Sequence, residues 1–147
     1  MRALVFGIIA VATGIASTGA FGLMDDPINT RKQLMQSNGA SMGAAQAMIK
    51  GEAPFSAAVA MAALQNFEAV GYAFGDYFPE GSDQGETRAS PKIWEEMEEF
   101  QQYLADFRED AAAGVAAKPE TLEAFQAAVG AVGENCQRCH EEFREES

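Results

Sequence analysis

The chain has 147 residues, with 10 basic against 22 acidic side chains, a formal net charge of −12, two cysteines and one histidine. That acidity argues against nucleic acid or an anionic membrane as a partner and favours encounter with proteins that present basic surfaces. The length suits one domain, and no linker, low-complexity tract or internal repeat divides it.

In chain order, Met1-Arg2 supplies a short positive region and Ala3 to Ala16 an apolar stretch without charge. Small residues follow, and Ala20-Phe21-Gly22 places a cleavage point before Leu23. This is the layout of a secretory signal peptide over residues 1–22. The alternative is an uncleaved anchor, but the stretch is short for a span, which needs about 20 apolar residues. Loss of residues 1–22 removes Arg2 and leaves nine basic against 22 acidic side chains, a net charge of −13. Residues 23–147 form the mature domain. Their expected site is the periplasm of a bacterium, with no membrane attachment after cleavage.

Four helical stretches punctuated by Pro and Gly follow. The first opens at Asp26-Pro27, a cap residue and then proline at the first helical position, and runs to Lys50 with Gly51 as its stop. Ile28, Met35, Met42 and Ile49 form its stripe. The second runs from near Pro54 to before Pro79, with Phe55, Val59, Ala63, Phe67, Val70, Phe74 and Tyr77 on one face. Residues 79–90 read as the one long loop. Ser90-Pro91 opens the third, whose stripe is Ile93, Met97, Phe100, Leu104, Phe107 and Ala111. Pro119 begins the fourth, with Leu122, Phe125, Val129, Val132, Cys136, Cys139, His140 and Phe143 in helical register. Gly130 and Gly133 weaken that helix by about 1 kcal/mol each against alanine, or else let a flat ring approach the backbone. Similar lengths and short connections predict an all-α, antiparallel up-down-up-down four-helix bundle.

The chemistry is concentrated in Cys136-Gln137-Arg138-Cys139-His140, which contains both cysteines and the lone histidine. C-x-x-C-H reads as a c-type haem attachment site. Two thiols on one helical turn each bond a vinyl-derived carbon of the ring, and the following histidine swings beneath it to the iron. Structural zinc needs four ligands, and no further Cys or His completes such a set. A thioredoxin-like C-x-x-C wants a βαβ context that the pattern lacks, and a disulfide across three residues would be strained. Because the three residues continue the apolar stripe of the fourth helix, one covalent haem c through Cys136 and Cys139 is expected inside the bundle. Attachment needs reduced thiols outside the cytoplasm, which agrees with the export signal.

The start of the first helix neighbours the end of the fourth in an antiparallel bundle. His140 lies within about two turns of its helix end, so a distal partner belongs about two turns inside the first helix. Met35 satisfies this, whereas Met42 lies ~10 Å further along the axis. The simpler reading of either methionine is core filling. Arg31, one turn before Met35, could reach a haem propionate or be a solvated charge. Trp94 and Phe100 read as core, and Glu95, Glu96, Glu98 and Glu99 as a solvated face.

The chain resembles the class II c-type cytochromes, the cytochrome c-prime family of four-helix bundles, over residues 24–147. The carriers are Arg31-Lys32-Gln33-Leu34-Met35 with Asn38-Gly39, Phe78-Pro79-Glu80-Gly81, Ser90-Pro91-Lys92-Ile93-Trp94, and Cys136-Gln137-Arg138-Cys139-His140 with Phe143-Arg144. The Leu34-Met35 pair with Asn38-Gly39 is similar to the low-spin branch, in which a methionine ligates the iron. The resemblance implies His140 and Met35 as metal ligands and Arg144 against the proximal imidazole. An exposed arginine favoured by the helix dipole is the other reading of Arg144.

The expected function is a one-electron carrier that exchanges electrons with redox proteins and is not an enzyme, since no acid, base or nucleophile is visible beside the motif. The alternative is a five-coordinate protein whose open distal site binds nitric oxide or carbon monoxide. Relatives of this fold often pair through their first two helices. Gly39, Ala40, Ser41, Gly43 and Ala44 would allow such a homodimer and are equally compatible with a monomer.

Overall fold

Local capping chemistry sets the first helix. The Asp26 carboxylate accepts from the Ile28 and Asn29 amides at 3.0 and 3.2 Å, and Pro27 takes the first position, where no amide is needed. This helix, α1, covers Pro27–Ile49. At its end the Glu52 amide reaches the Ala47 carbonyl at 2.8 Å and the Gly51 amide that of Met48 at 3.2 Å. That is a Schellman closure, and Gly51 takes the required positive φ of 74°. The computed structural model describes residues 26–146. The expected signal segment, residues 1–22, therefore lies outside the described residues.

The second helix, α2, is shorter than its apolar pattern predicts. It covers Ala57–Ala73, capped by the Ser56 hydroxyl, and tightens into a 3-10 turn over Phe74–Tyr77. Its buried face is Ala60, Ala63, Leu64, Phe67, Val70 and Gly71. Val59, expected on the core face, is 44 % exposed, because the buried arc is centred on Leu64 and Phe67 rather than on the Phe55–Val59 row. Gly71 marks one close approach of α2 to its neighbour: a Cβ there would lie 3.2 Å from both Phe107 and Arg108.

The third predicted helix is two. A single turn, α3, covers Lys92–Glu95, and α4 covers Met97–Ala117. Glu96 separates them with non-helical φ/ψ of −126° and 46°. The short turn swings Trp94 toward the loop, where its indole N–H donates to the Pro79 carbonyl at 3.1 Å and its ring lies 5.6 Å from that of Phe78. The predicted stripe otherwise stands, with Ile93, Phe100, Leu104, Phe107 and Ala111 all buried. Glu95, Glu96, Glu98 and Glu99 are exposed.

The fourth predicted helix, α5, covers Leu122–Phe143, three residues after Pro119, because the Thr121 hydroxyl caps it by accepting from the Ala124 amide. Helix α2 packs on α1 and α4, and α4 packs on α5, whereas α1 meets α5 far less. The bundle therefore has one poorly closed seam. Its apolar interior is split in two. One cluster centres on Leu64, Phe67, Phe107, Phe125 and Val132. The other comprises Phe78, Ile93, Phe100, Leu104 and Phe143. Edge-on ring contacts of 4.7 to 5.3 Å join Phe78, Phe100, Phe143 and Tyr103 in the second, each worth about 0.5–1.5 kcal/mol beyond burial. Among the described residues no helix is long and apolar enough to cross a membrane.

Candidate haem site

Between the two clusters, along the open seam of α1 and α5, lies a cavity of about 650 Å³, well within the range of small-molecule sites. Helix α1 supplies Ile28, Arg31, Met35 and Met42 to its wall, and α5 supplies Gly133, Cys136, Cys139 and His140. Phe67, Phe100 and Phe107 form the apolar back. The wall contains no aspartate or glutamate, although the chain has 22.

The thiols of Cys136 and Cys139 are free and half-buried, one helical turn apart on the face of α5 that borders the cavity. Burial pushes both thiols up. For Cys139, burial first and the neighbouring Cys136 second raise the value to about 11, whereas a backbone hydrogen bond partly opposes the rise at Cys136. Both are therefore protonated at neutral pH. His140 is exposed on one side and faces the cavity on the other; this partial desolvation, then the positive charges of Arg144 and Arg88, hold it below the usual imidazole value. His140 is thus neutral at pH 7, the form in which imidazole ligates a metal. Among the described residues no group of three or more His, Cys, Asp or Glu could hold a bare metal ion, which removes a protein-only zinc site.

Arg31 is not the solvated charge that its place at a helix start allowed. It is only 5 % exposed. Its Nη2 donates to the Ser82 carbonyl at 2.7 Å, and the guanidinium lies 4.6 Å from the Phe78 ring centre and 5.4 Å from that of Trp94. Its Nε is buried without a protein acceptor. A desolvated guanidinium with an unused donor on the wall of an apolar cavity calls for an anion, and a haem carries carboxylates. The two thiols, the neutral imidazole and this orphaned donor together fit a covalently attached haem.

The proposed site residues fall on one cavity, including Arg144, although that residue is exposed and ends α5 in an extended conformation. It pairs with Ala89 in an isolated antiparallel bridge. Met48 is in the core, and neither Met61 nor Met97 borders the cavity. Met42 does, despite its distance along the axis. Gly133 borders it and Gly130 does not, so a close approach of a ring to the backbone concerns Gly133 alone.

Two groups were not legible from the pattern. Arg88 stands on the cavity wall with Nε and Nη2 on the Glu145 carbonyl at 3.1 and 3.0 Å. Asn135, 3 % exposed, donates to Asp110 at 2.5 Å and to the Ala131 carbonyl at 3.2 Å, and accepts from Arg138. Arg138 also pairs with Asp106 at 3.5 Å. A variable residue of the C-x-x-C spacing and the residue before it thus tie the attachment turn to α4. Nothing in the helical period marks either role.

The known proteins agree with this geometry. The family model for Cytochrome C′ matches residues 26–144. A cytochrome c-556 of Agrobacterium fabrum (strain C58) is 37 % identical over 117 residues, covering 80 % of each chain. The solved cytochrome c′ of Rhodopseudomonas palustris superposes with a TM-score of 0.78 at 32 % identity, over 83 % of this chain and 98 % of that one. A structural model of oxidized cytochrome c556 from the same organism gives 0.75 at 29 % identity, over 83 % and 98 %. With the attachment turn, the bundle and all but the last two described residues in agreement, the chain belongs to the cytochrome C′ family.

Proposed function

We propose that the protein is a periplasmic one-electron carrier whose single haem c is bonded through Cys136 and Cys139 and ligated by His140 and Met35. The observation that carries this reading is that Met35 of α1 and His140 of α5 border the same cavity, from the two helices that fail to close on each other. The iron supplies the redox couple. The protein supplies attachment, axial ligands and a dry wall. His140 enters as a neutral donor, and Arg144 and Arg88 face it as cations. A thioether from Met35 favours the ferrous state and raises the potential. Retaining both ligands in both oxidation states keeps reorganisation small. Arg31 holds a propionate with its free Nε while keeping Ser82. With the lone histidine committed to iron and no acid–base pair on the wall, the chain works as a carrier rather than an enzyme. The export expected from residues 1–22 supplies the compartment in which attachment occurs.

A second reading has its own support. Met35 and Met42 face His140 across the cavity beside polar neighbours on α1, and the relatives include a cytochrome c′ of Rhodopseudomonas palustris, 32 % identical over 145 residues, as well as those named c-556. If Met35 packs on the ring without bonding it, the sixth position accepts nitric oxide or carbon monoxide. Redox partners with basic docking surfaces suit the acidic chain, and a homodimer through α1 and α2 suits their nearly uncharged outer faces. Optical spectra decide between carrier and gas binder. A low-spin ferric spectrum with the far-red methionine band, unmoved by carbon monoxide in the ferrous state, supports Met35 ligation. A high-spin spectrum that shifts readily with carbon monoxide overturns it.

A further inference from the structure

The seam between α1 and α5 needs something to set its width, because the two helices barely pack on each other and the cavity lies between them. The connection from Phe78 to Pro91 spans it. At its near end it is held to α1: the Arg31 guanidinium donates to the Ser82 carbonyl at 2.7 Å and to the Ser82 hydroxyl at 3.4 Å, and Ser82 is buried. Three residues on, a Cβ at Gly85 would lie 3.2 Å from Ile28 Cδ1, so the chain rests on α1 there too. Gly85 has a φ of 115°, open to glycine and strained for other residues.

At its far end the same connection is held to the last residues of α5 and the tail beyond. Arg88 donates twice to the Glu145 carbonyl, and its own carbonyl accepts from the Glu145 amide at 2.9 Å. Ala89 pairs with Arg144, and the Ser90 amide donates to the Phe143 carbonyl at 3.0 Å. Only the three peptide steps from Gly85 to Arg88 cross the seam, so the crossing cannot exceed ~10 Å even fully extended. A turn in which the Thr87 amide donates to the Gly85 carbonyl at 2.8 Å shortens it further. Both anchor zones border the functional residues: Ile28 and Arg31 precede Met35 on α1, and Phe143 and Arg144 follow His140.

We propose that the Phe78–Pro91 connection is a strap that fixes the span between Met35 and His140, with Arg88 as the positioning residue that locks its far end. The strap keeps α1 pressed over the distal face, so the access of a sixth ligand to the iron depends on three residues of loop. This rests on the haem reading above, but not on whether Met35 bonds the iron.

The test uses the ferrous holoprotein carrying Met35→Ala, whose sixth position is open to carbon monoxide on either reading of Met35, and the rate at which the gas combines with it. Four glycines inserted between Gly85 and Glu86 lengthen the crossing, and Arg88→Ala releases its far end without changing chain length. Four glycines inserted between Ala53 and Pro54, in the turn between α1 and α2, serve as control. The lengthened strap is expected to speed combination about tenfold, and Arg88→Ala to do so in the same direction, by shifting α1 toward open arrangements. Faster hydrogen exchange in the Ile28–Met35 amides should accompany it, with the haem still covalently bound. A lengthened strap that changes the rate less than about threefold overturns the proposal, as does an equal acceleration in the control. The wild-type spectrum reports separately on Met35. A high-spin protein without the far-red band would end the methionine-ligation reading and leave the rate comparison to decide the strap.

Discussion

Replacing Arg31 by methionine keeps an unbranched apolar stem and removes a guanidinium that is 5 % exposed. Three contributions change. The charge-assisted bond to the Ser82 carbonyl at 2.7 Å is worth about 1.5–3 kcal/mol. The faces of Phe78 and Trp94 at 4.6 and 5.4 Å add about 0.5–1 kcal/mol each. Against these, a buried donor without a partner costs about 1–3 kcal/mol, and the substitution relieves it. In a haem-free chain, Cys136→Ser with Cys139→Ser, these contributions partly offset, and Arg31→Met should cost about 2 kcal/mol. If Arg31 pairs with a propionate as proposed, nothing is relieved in the holoprotein and a further charge-assisted bond is lost. The cost should then rise to about 4 kcal/mol or more, a drop on the order of 10 °C in Tm for a chain of this size. Guanidinium chloride unfolding of the four proteins, followed by helical circular dichroism, gives both costs. Equal costs with and without haem would refute the pairing of Arg31 with the haem. A cost below about 1 kcal/mol in the holoprotein would refute the energetic reading of the buried cation.

Met35→Ala should abolish the far-red band and turn a carbon-monoxide-inert ferrous haem into one that binds the gas; retention of the band would move ligation to Met42, the other methionine on the wall. Asn135→Leu strands Asp110 and Arg138 and should cost about 1–3 kcal/mol in thermal unfolding, with a loss below half of that showing that the tie to α4 is idle. In the folded haem-free chain carrying only Cys136→Ser, alkylation of Cys139 should be slow at pH 8 and climb toward pH 11. Its pKa is raised, chiefly by burial and only secondarily by Cys136, so the thiolate fraction at pH 8 falls below that of a free cysteine. A rate at pH 8 equal to that of a free cysteine would show that the thiol is not desolvated.

The helical period carried α4 and α5 because each buries one face, whereas in α1 the expected stripe of Ile28, Met35, Met42 and Ile49 is only half-buried and Arg31, Asn38, Ala45 and Met48 are the buried residues. Phe100, Leu104, Phe107 and Ala111 are buried as their spacing required, and so are Phe125, Val129 and Val132. The exceptions have local causes. The break at Glu96 and the exposure of Val59 depend on where neighbouring elements sit, and no period within one helix encodes that. The attachment residues were legible because their chemistry fixes their spacing, and the place of Met35 on the cavity wall because an antiparallel bundle fixes which ends meet. Arg31 was ambiguous for the opposite reason: at a helix start, exposure depends on what covers it, and here Phe78, Trp94 and Ser82 arrive from a loop that carries no period at all.

The side chains along α1 and α5 account for a seam there rather than a closed core. A four-helix bundle gains stability by closing its apolar faces on one another, and α1 and α5 do not. The side chains facing the seam on α5 include two thiols and a glycine, and those on α1 include two methionines, none of them large or rigid enough to fill the gap from both sides. The bulky residues, Phe67, Phe100 and Phe107 among them, line its back rather than bridging it. A flat apolar ring held there would supply packing contacts that these side chains do not make with one another. Stability and haem attachment are therefore linked: the same cavity that admits the cofactor makes the protein depend on it, and the Phe78–Pro91 strap limits how far the seam opens.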